Sequence, residues 1–233
     1  MPKETKQKAN KQIKSRKRVV DHGEVFTNER EVKAMCDLVN DETQRIDSRF
    51  LEPACGDGNF LAEILDRKLA VVKKKYRRSV MDFEKNSLLA VSSLYGVDIM
   101  MDNVIACRER LFKIWDKQYK AVCKKECSED MRDSIRFILS KNIVCGNALT
   151  LHEVDENGND TKDPILFSEW GFVTGPQLSR SEYTFDEILK QNENPKQDTN
   201  VQESLFDNNS NNNGEGKFVN RSVMNYKRLK DNE

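Results

Sequence analysis

The sequence predicts an α/β domain built on a parallel sheet with covering helices. Three observations carry that prediction. From Val19 to Leu151, short apolar runs alternate with longer stretches of helical periodicity, the rhythm of strands joined by crossover helices. A glycine turn, CGDG, joins the first run to the first long helix. After Leu151 the pattern gives way to polar, turn-rich sequence, so the sheet reads as incomplete in its carboxyl half.

The elements follow in order. Residues 1–18 are polar and strongly basic and read as a flexible arm. Asn28 caps a helix reaching Asp37 or beyond, with Val32, Met35, Cys36 and Val39 on one face. Arg49–Pro53 is a short strand stopped by proline. From Asn59 to Tyr76 an apolar stripe of Phe60, Leu61, Ile64, Leu65 and Leu69 predicts a helix. LYGVDI, 94–99, is a second strand. Asp102 is placed to cap a long helix carrying Val104, Ile105, Leu111, Phe112 and Trp115, and the helical pattern continues through Ile135–Leu139. Asn142–Cys145 is a third strand leading into GNAL. The domain proper is thus 19–151. Residues 152–190, a polar loop and then ILFSEWGFVTG, form an irregular or small β extension. Residues 191–233 are rich in Asn, Asp, Gln and Gly and read as a disordered polar tail.

With 233 residues the chain has room for one good-sized domain and a tail. Charged residues make up 33% and balance at 39 of each sign, which argues against a generally basic, nucleic-acid-like surface. Two basic runs break the balance, KSRKR in the arm and VVKKKYRRS at 71–79. No apolar run approaches the length that spans a bilayer, and the amino-terminal stretch lacks the apolar core of a signal peptide. A cytoplasmic protein with six reduced, partly buried cysteines is the expectation. Cys123 and Cys127 stand four apart on an expected helix, but no second pair or nearby His completes a set, so no metal site is read.

The glycine turn is the chemical clue. Small residues at a strand-to-helix junction let a ligand lie against the backbone, and ligands of such folds sit beyond the carboxyl ends of the strands. Asp98, at the end of the second strand, is placed to accept hydrogen bonds from ribose hydroxyls. The turn is not a dinucleotide fingerprint, because Leu61 stands where a third glycine is needed. Asp57 disfavours an anion and Glu52 suits a cation. A nucleoside carrying positive charge fits better than a pyrophosphate. The plain alternative is a tight turn with no ligand.

EPACGDGNFLAEIL resembles the cofactor motif of S-adenosyl-L-methionine-dependent DNA methyltransferases of the adenine-N6 type, the modification subunits of bacterial restriction systems. HGEVFTNEREVKAMCDLV is similar to the family's amino-terminal motif, YGVDIMMDNVIACRERL to its second, and CGNAL to its third. The four run in family order over roughly 19–151. The resemblance implies a Rossmann-like methyltransferase sheet. It implies that Gly56, Asp57 and Gly58 line the methionine end of the cofactor, with Glu52, Pro53 and Ala54 beside them. Asp98 would take the ribose, Ile99 would flank the adenine, and Thr27 would reach the methionine carboxylate. Two positions depart from the family. Asn28 stands where proline is usual, and Asn147 where Asp is usual. An amide oxygen still accepts a hydrogen bond but without charge, which leaves Asn147 both a cofactor contact and a weak candidate for a substrate-side one.

The family's catalytic motif, Asn or Asp, then Pro-Pro, then an aromatic, is missing. The nearest pattern, Asp163-Pro164 in DPIL, lacks the second proline and the aromatic. In the family a fourth strand pairs with the first, so here the first strand is expected to be an open edge. ILFSEWGFV could cover it, or a second protein chain could complete the sheet. The expected function is therefore the cofactor-binding part of a DNA methyltransferase with DNA as substrate. The alternatives are a non-catalytic cofactor- or DNA-binding subunit or regulator, and an inactive remnant. In the tail, Gln202, Leu205 and Phe206 of VQESLFDN resemble the short peptide with which bacterial replication proteins dock on the sliding clamp. The basic runs are suited to DNA phosphates.

Overall fold

Three parallel strands form the spine of the molecule. The computed structural model describes residues 14–22, 24–193 and 220–232. Strands β1 (Phe50–Glu52), β2 (Leu94–Asp98) and β3 (Ile143–Asn147) lie side by side in that order. Leu51 stands opposite Tyr95, and Val97 opposite Val144. β4 (His152–Val154) and β5 (Asp160–Pro164) extend the sheet antiparallel beyond β3. The result is a mixed five-stranded α/β sheet, parallel in β1–β3 and compatible with a Rossmann-like fold. Among the described residues β1 has a strand neighbour on one side only.

Before β1 come α1 (Arg16–His22), α2 (Glu29–Leu38) and α3 (Asn40–Thr43). Within the expected basic arm, the described residues Lys14 and Arg18 are held by ion pairs to Asp102 and Glu24 rather than extending into solvent. Asn28 caps α2 as its sequence predicts, its side chain accepting from the Arg30 amide at 2.9 Å. α4 (Asn59–Tyr76) spans the residues its apolar stripe predicts, and buries Leu61, Leu65, Leu69 and Val72. α5 (Val80–Ser92) is an addition that the periodicity did not reveal. It is buried on most of its circumference, at Phe83, Glu84, Ser87, Leu88, Ala90 and Val91, so its pattern is not amphipathic. Its start is nevertheless written in Ser79, whose hydroxyl accepts from the Asp82 amide.

α6 (Met101–Cys123) and α7 (Glu129–Asn142) are two helices rather than one continued pattern. Lys124 breaks the run at φ 51°, and Ser128 caps the new helix. Cys127 therefore lies past the end of the helix that carries Cys123. Asp102 is not the cap of α6 but sits in its first turn. The helix begins one residue earlier, at Met101, with Met100 at the cap position, and Asp102 pairs with Arg18.

A second sheet follows, antiparallel, of β6 (Leu166–Phe172), β7 (Gln177–Thr184) and β8 (Asn220–Asn225), with α8 (Phe185–Glu193) after β7. Phe167 inserts edge-on between Tyr95 and Phe185, each at 5.4 Å between ring centres. Tyr95, Val97, Ile165, Phe167 and Phe185 thereby form a small core on β2. The ILFSEWGFV stretch thus packs its side chains on the sheet and pairs with β7, not with β1.

The expectation of a disordered tail from 191 to 233 is corrected at its end. Residues 220–225 pair with β7, and Met224, Tyr226 and Leu229 are buried. The anchor is Glu84, a carboxylate buried on α5. It accepts from Tyr119 at 2.9 Å and Tyr226 at 2.8 Å, and Lys227 lies 2.7 Å from it. A buried carboxylate needs such partners, and two of the three come from the last residues. A composition count over the whole tail averaged these few apolar residues away. Residues 194–219 lie outside the described residues.

Lys68 is fully buried beneath β1 and donates to the carbonyls of Ile46 and Ser48 and to the Ser93 hydroxyl. Burial pushes its pKa down from 10.5 to about 7. The unfolded chain then holds the proton more tightly between these values, so stability rises with pH across that window. Urea unfolding from pH 7 to 10 should show this rise in the native chain and a flatter curve in Lys68→Met. Tyr226→Phe removes one donor to buried Glu84 and should cost about 1–3 kcal/mol in the same assay.

Candidate functional site

The carboxyl end of β2 delivers Asp98 to the mouth of the sheet. Its Oδ2 accepts from the Gly56 amide at 2.9 Å. Its Oδ1 accepts from the Met100 amide at 2.8 Å and from Asn103 Nδ2 at 3.1 Å. A carboxylate offers about four acceptor positions. Three donors leave one open, on the oxygen that faces the glycine turn.

The turn is possible only with glycine. Gly56 and Gly58 have φ +53° and +86°, a region costly for any residue with a Cβ. A Cβ on Gly58 would lie 2.6 Å from the Cys107 sulfur, and one on Gly56 would lie 3.0 Å from the Phe26 ring. The turn is held by its own backbone, with Gly58 N donating to the Cys55 carbonyl and Cys55 N to that of Val97, both at 2.8 Å. The hydrogen bond with the neighbouring Cys107, and then burial, push the Cys55 thiol up.

The amino-terminal segment closes one side. Phe26 packs on Gly56, and the Thr27 carbonyl accepts from Asn59 Nδ2 at 3.2 Å. Asn28, in the place of the family's proline, has the separate task of capping α2. On the other side Arg110 of α6 donates to Asp57 Oδ1 at 3.2 Å and to Asn59 Oδ1 at 2.6 Å. The negative charge assigned to the turn through Asp57 is thus balanced by a cation that the spacing did not reveal. Glu52, at the end of β1, is half-buried. Burial raises its pKa, while a hydrogen bond from the Ala54 backbone lowers it. Pro53 and Ala54 lie exposed on the outside of the turn.

Not every expected residue joins this group. Ile99 follows Asp98, and its carbonyl accepts from the Cys145 thiol at 3.6 Å. Asn147 is spent on its own turn. Its Oδ1 accepts from the Leu149 amide and its Nδ2 donates to Asp160, both at 3.0 Å. Asp163 and Pro164 lie in β5, at the edge of the sheet opposite β1. Lys73, Lys74 and Lys75 occupy the last turn of α4, about 22 Å along the helix from the glycine turn at 1.5 Å per residue. Gln202, Leu205 and Phe206 lie outside the described residues, in the stretch between α8 and β8. Among the described residues no cluster of His, Cys, Asp and Glu is built to hold a metal ion, and no helix is long and apolar enough to cross a membrane.

Asn103, Arg110, Asn59 and Phe26 were missed as site residues. All four sit inside the quoted motifs, and only the fold shows which of their faces meets the turn.

Gly58→Ala should lower stability by about 1–2 kcal/mol from the positive φ alone, with a further loss from the contact with Cys107. Adding Cys107→Ala should recover the contact part and leave the φ part. Thermal unfolding of the single and double variants separates the two.

No family model matches the chain, and no solved structure matches it. A curated protein of Methanocaldococcus jannaschii, named as a candidate type II restriction enzyme and methyltransferase, is 33% identical over 120 residues. That match takes in 50% of this chain and 10% of the relative, so the chain spans about a tenth of the length of the curated protein to which it is similar.

Proposed function

We propose that this chain is the S-adenosylmethionine-binding part of a DNA methyltransferase of a restriction-modification system, directed at the N6 amine of adenine. The observation that carries the reading is the contact between the Asp98 carboxylate and the Gly56 amide. It sets a carboxylate and a glycine turn side by side at the carboxyl ends of parallel strands, the place where such folds take their ligands. The similarity to the named methyltransferase supports the same reading, and the four motifs add adenine-N6 chemistry to it.

The residues fit the cofactor. The open acceptor position on Asp98 takes a ribose hydroxyl, and Ile99 offers an apolar flank to the adenine. Gly56 and Gly58 leave room for the methionine end. Glu52 supplies negative charge for the ammonium, and Thr27 reaches the carboxylate. When bound, S-adenosylmethionine supplies a methyl group on a sulfonium, open to in-line attack by an amine. The work of the chain is to fix that methyl in place.

Holding and polarising the adenine amine needs further oxygen acceptors. Asp163-Pro164 lies at the wrong edge of the sheet for this, and β1 has its outer side unpaired among the described residues. This favours a second protein chain, or a segment beyond this sequence, that completes the sheet and reads the DNA. Asn147 is committed to its turn, which makes it a poor substrate contact. The basic run at the end of α4 is suited to DNA backbone away from the target base. The Gln202–Phe206 peptide is a sliding-clamp contact in the same proposal, and the cytoplasm is where the complex acts.

Titration calorimetry with S-adenosylmethionine should show binding to the native chain and at least a tenfold loss in Asp98→Ala. Methyl-labelled cofactor and mixed-sequence DNA should then give no labelled adenine with this chain alone. Failure of the native chain to bind overturns the cofactor reading. Labelled adenine from the chain alone overturns the need for a partner.

A further inference from the structure

Asn103 is a buried side chain, 2% exposed, on the first turns of α6. Its amide nitrogen donates in two directions, to Asp98 Oδ1 at 3.1 Å and to Glu24 Oε1 at 2.8 Å. Its amide oxygen accepts from Lys14. One side chain therefore joins the ribose acid to the amino-terminal segment. The segment is itself locked to α6. Arg18 makes a two-pronged pair with Asp102, at 2.7 and 3.0 Å, and its Nη2 donates to Glu24 Oε1 at 2.8 Å. Lys14 lies 3.2 Å from Asp102 and 5.7 Å from the centre of the Phe26 ring.

The same segment meets the glycine turn at two further points, Phe26 against Gly56 and Thr27 against Asn59. Residues 14–22 and 24–27 thus meet the site directly at Gly56 and Asn59, and reach Asp98 through Asn103. Forked charge-assisted bonds of the Arg18–Asp102 kind are directional and hold a register. An amide that donates one N–H to each of two carboxylates ties the position of one to that of the other.

We propose that Asn103 is a positioning residue that couples closure of the strap formed by residues 14–22 and 24–27 to occupation of the cofactor site. It fixes the Asp98 carboxylate so that the open acceptor position faces the glycine turn, and it does so only while Glu24 and Lys14 hold it. Cofactor binding and strap closure then favour each other, by equal factors. The inference rests on the cofactor reading above.

The test is a double-mutant cycle on the full chain with S-adenosylmethionine as probe. Arg18→Ala loosens the strap without touching Asp98 or the turn, and Asn103→Ala cuts the bridge. Each should weaken binding by about fivefold or more, the low end of ordinary coupling between sites. The double variant should bind no more weakly than Asn103→Ala, because both changes break one pathway. Trypsin cleavage after Lys17 gives the reciprocal readout. Saturating cofactor should slow it in the native chain and leave it unchanged in Asn103→Ala. Circular dichroism melting shows which variants fold, and if Asn103→Ala does not, Glu24→Ala, which removes the acceptor for Asn103, takes its place. Unchanged affinity in Arg18→Ala, additive losses in the double variant, or faster cleavage with cofactor each overturn the coupling. If the native chain does not bind, the cofactor reading falls and the coupling with it. Binding with no response in the variants removes the coupling alone.

Discussion

Everything about the candidate site depends on the hydrogen bond from the Gly56 amide to Asp98. It ties the turn after β1 to the end of β2, and so fixes the geometry of two motifs that lie 42 residues apart in the chain. The same carboxylate also accepts from the amide of Met100, the residue just before α6. One acid therefore ties together a turn, the segment leading into α6 and, through Asn103, the amino-terminal segment. A residue with so many structural contacts is held in one rotamer.

The helical half of the molecule is organised around a different buried carboxylate. Glu84 draws Tyr119 from α6 and Tyr226 and Lys227 from the end of the chain into one network. The stacked pair of Trp115 and Tyr119 covers it, and Trp115 donates to Ser87 on the same helix as Glu84. A polar centre of this kind selects one packing of α5 against α6, because any other leaves charge buried and unpaired.

Much of this was legible in the sequence where local rules decide. The strands β1 to β3, the limits of α4 and the Asn28 cap follow from period, proline and capping. The glycine turn and Asp98 were found as a pair because strand ends are marked by short motifs. What stayed hidden depends on the third dimension. α5 is buried nearly all round, so it carries no amphipathic stripe to read. Arg110 and Asn103 sit on α6 among many polar residues, and only the fold shows that they face the turn. Asn147 matched its motif position, yet the polar β4–β5 hairpin claims its side chain through Asp160. The final strand was lost in a low-complexity stretch because its partners, Glu84 and β7, are remote in sequence.

That remoteness has a consequence for synthesis. Glu84 and Tyr226 stand 142 residues apart. A chain emerging from the ribosome completes α4, α5 and α6 long before Tyr226 and Lys227 exist. Until they arrive, the carboxylate meant for the centre of the helical layer has only Tyr119 to receive. The helices can form early, but their final docking must wait for Tyr226 and Lys227 to be made. Translation past Lys227 is thus a condition for closing this core, and nascent chains stopped short of Tyr226 would keep it open to chaperones and proteases.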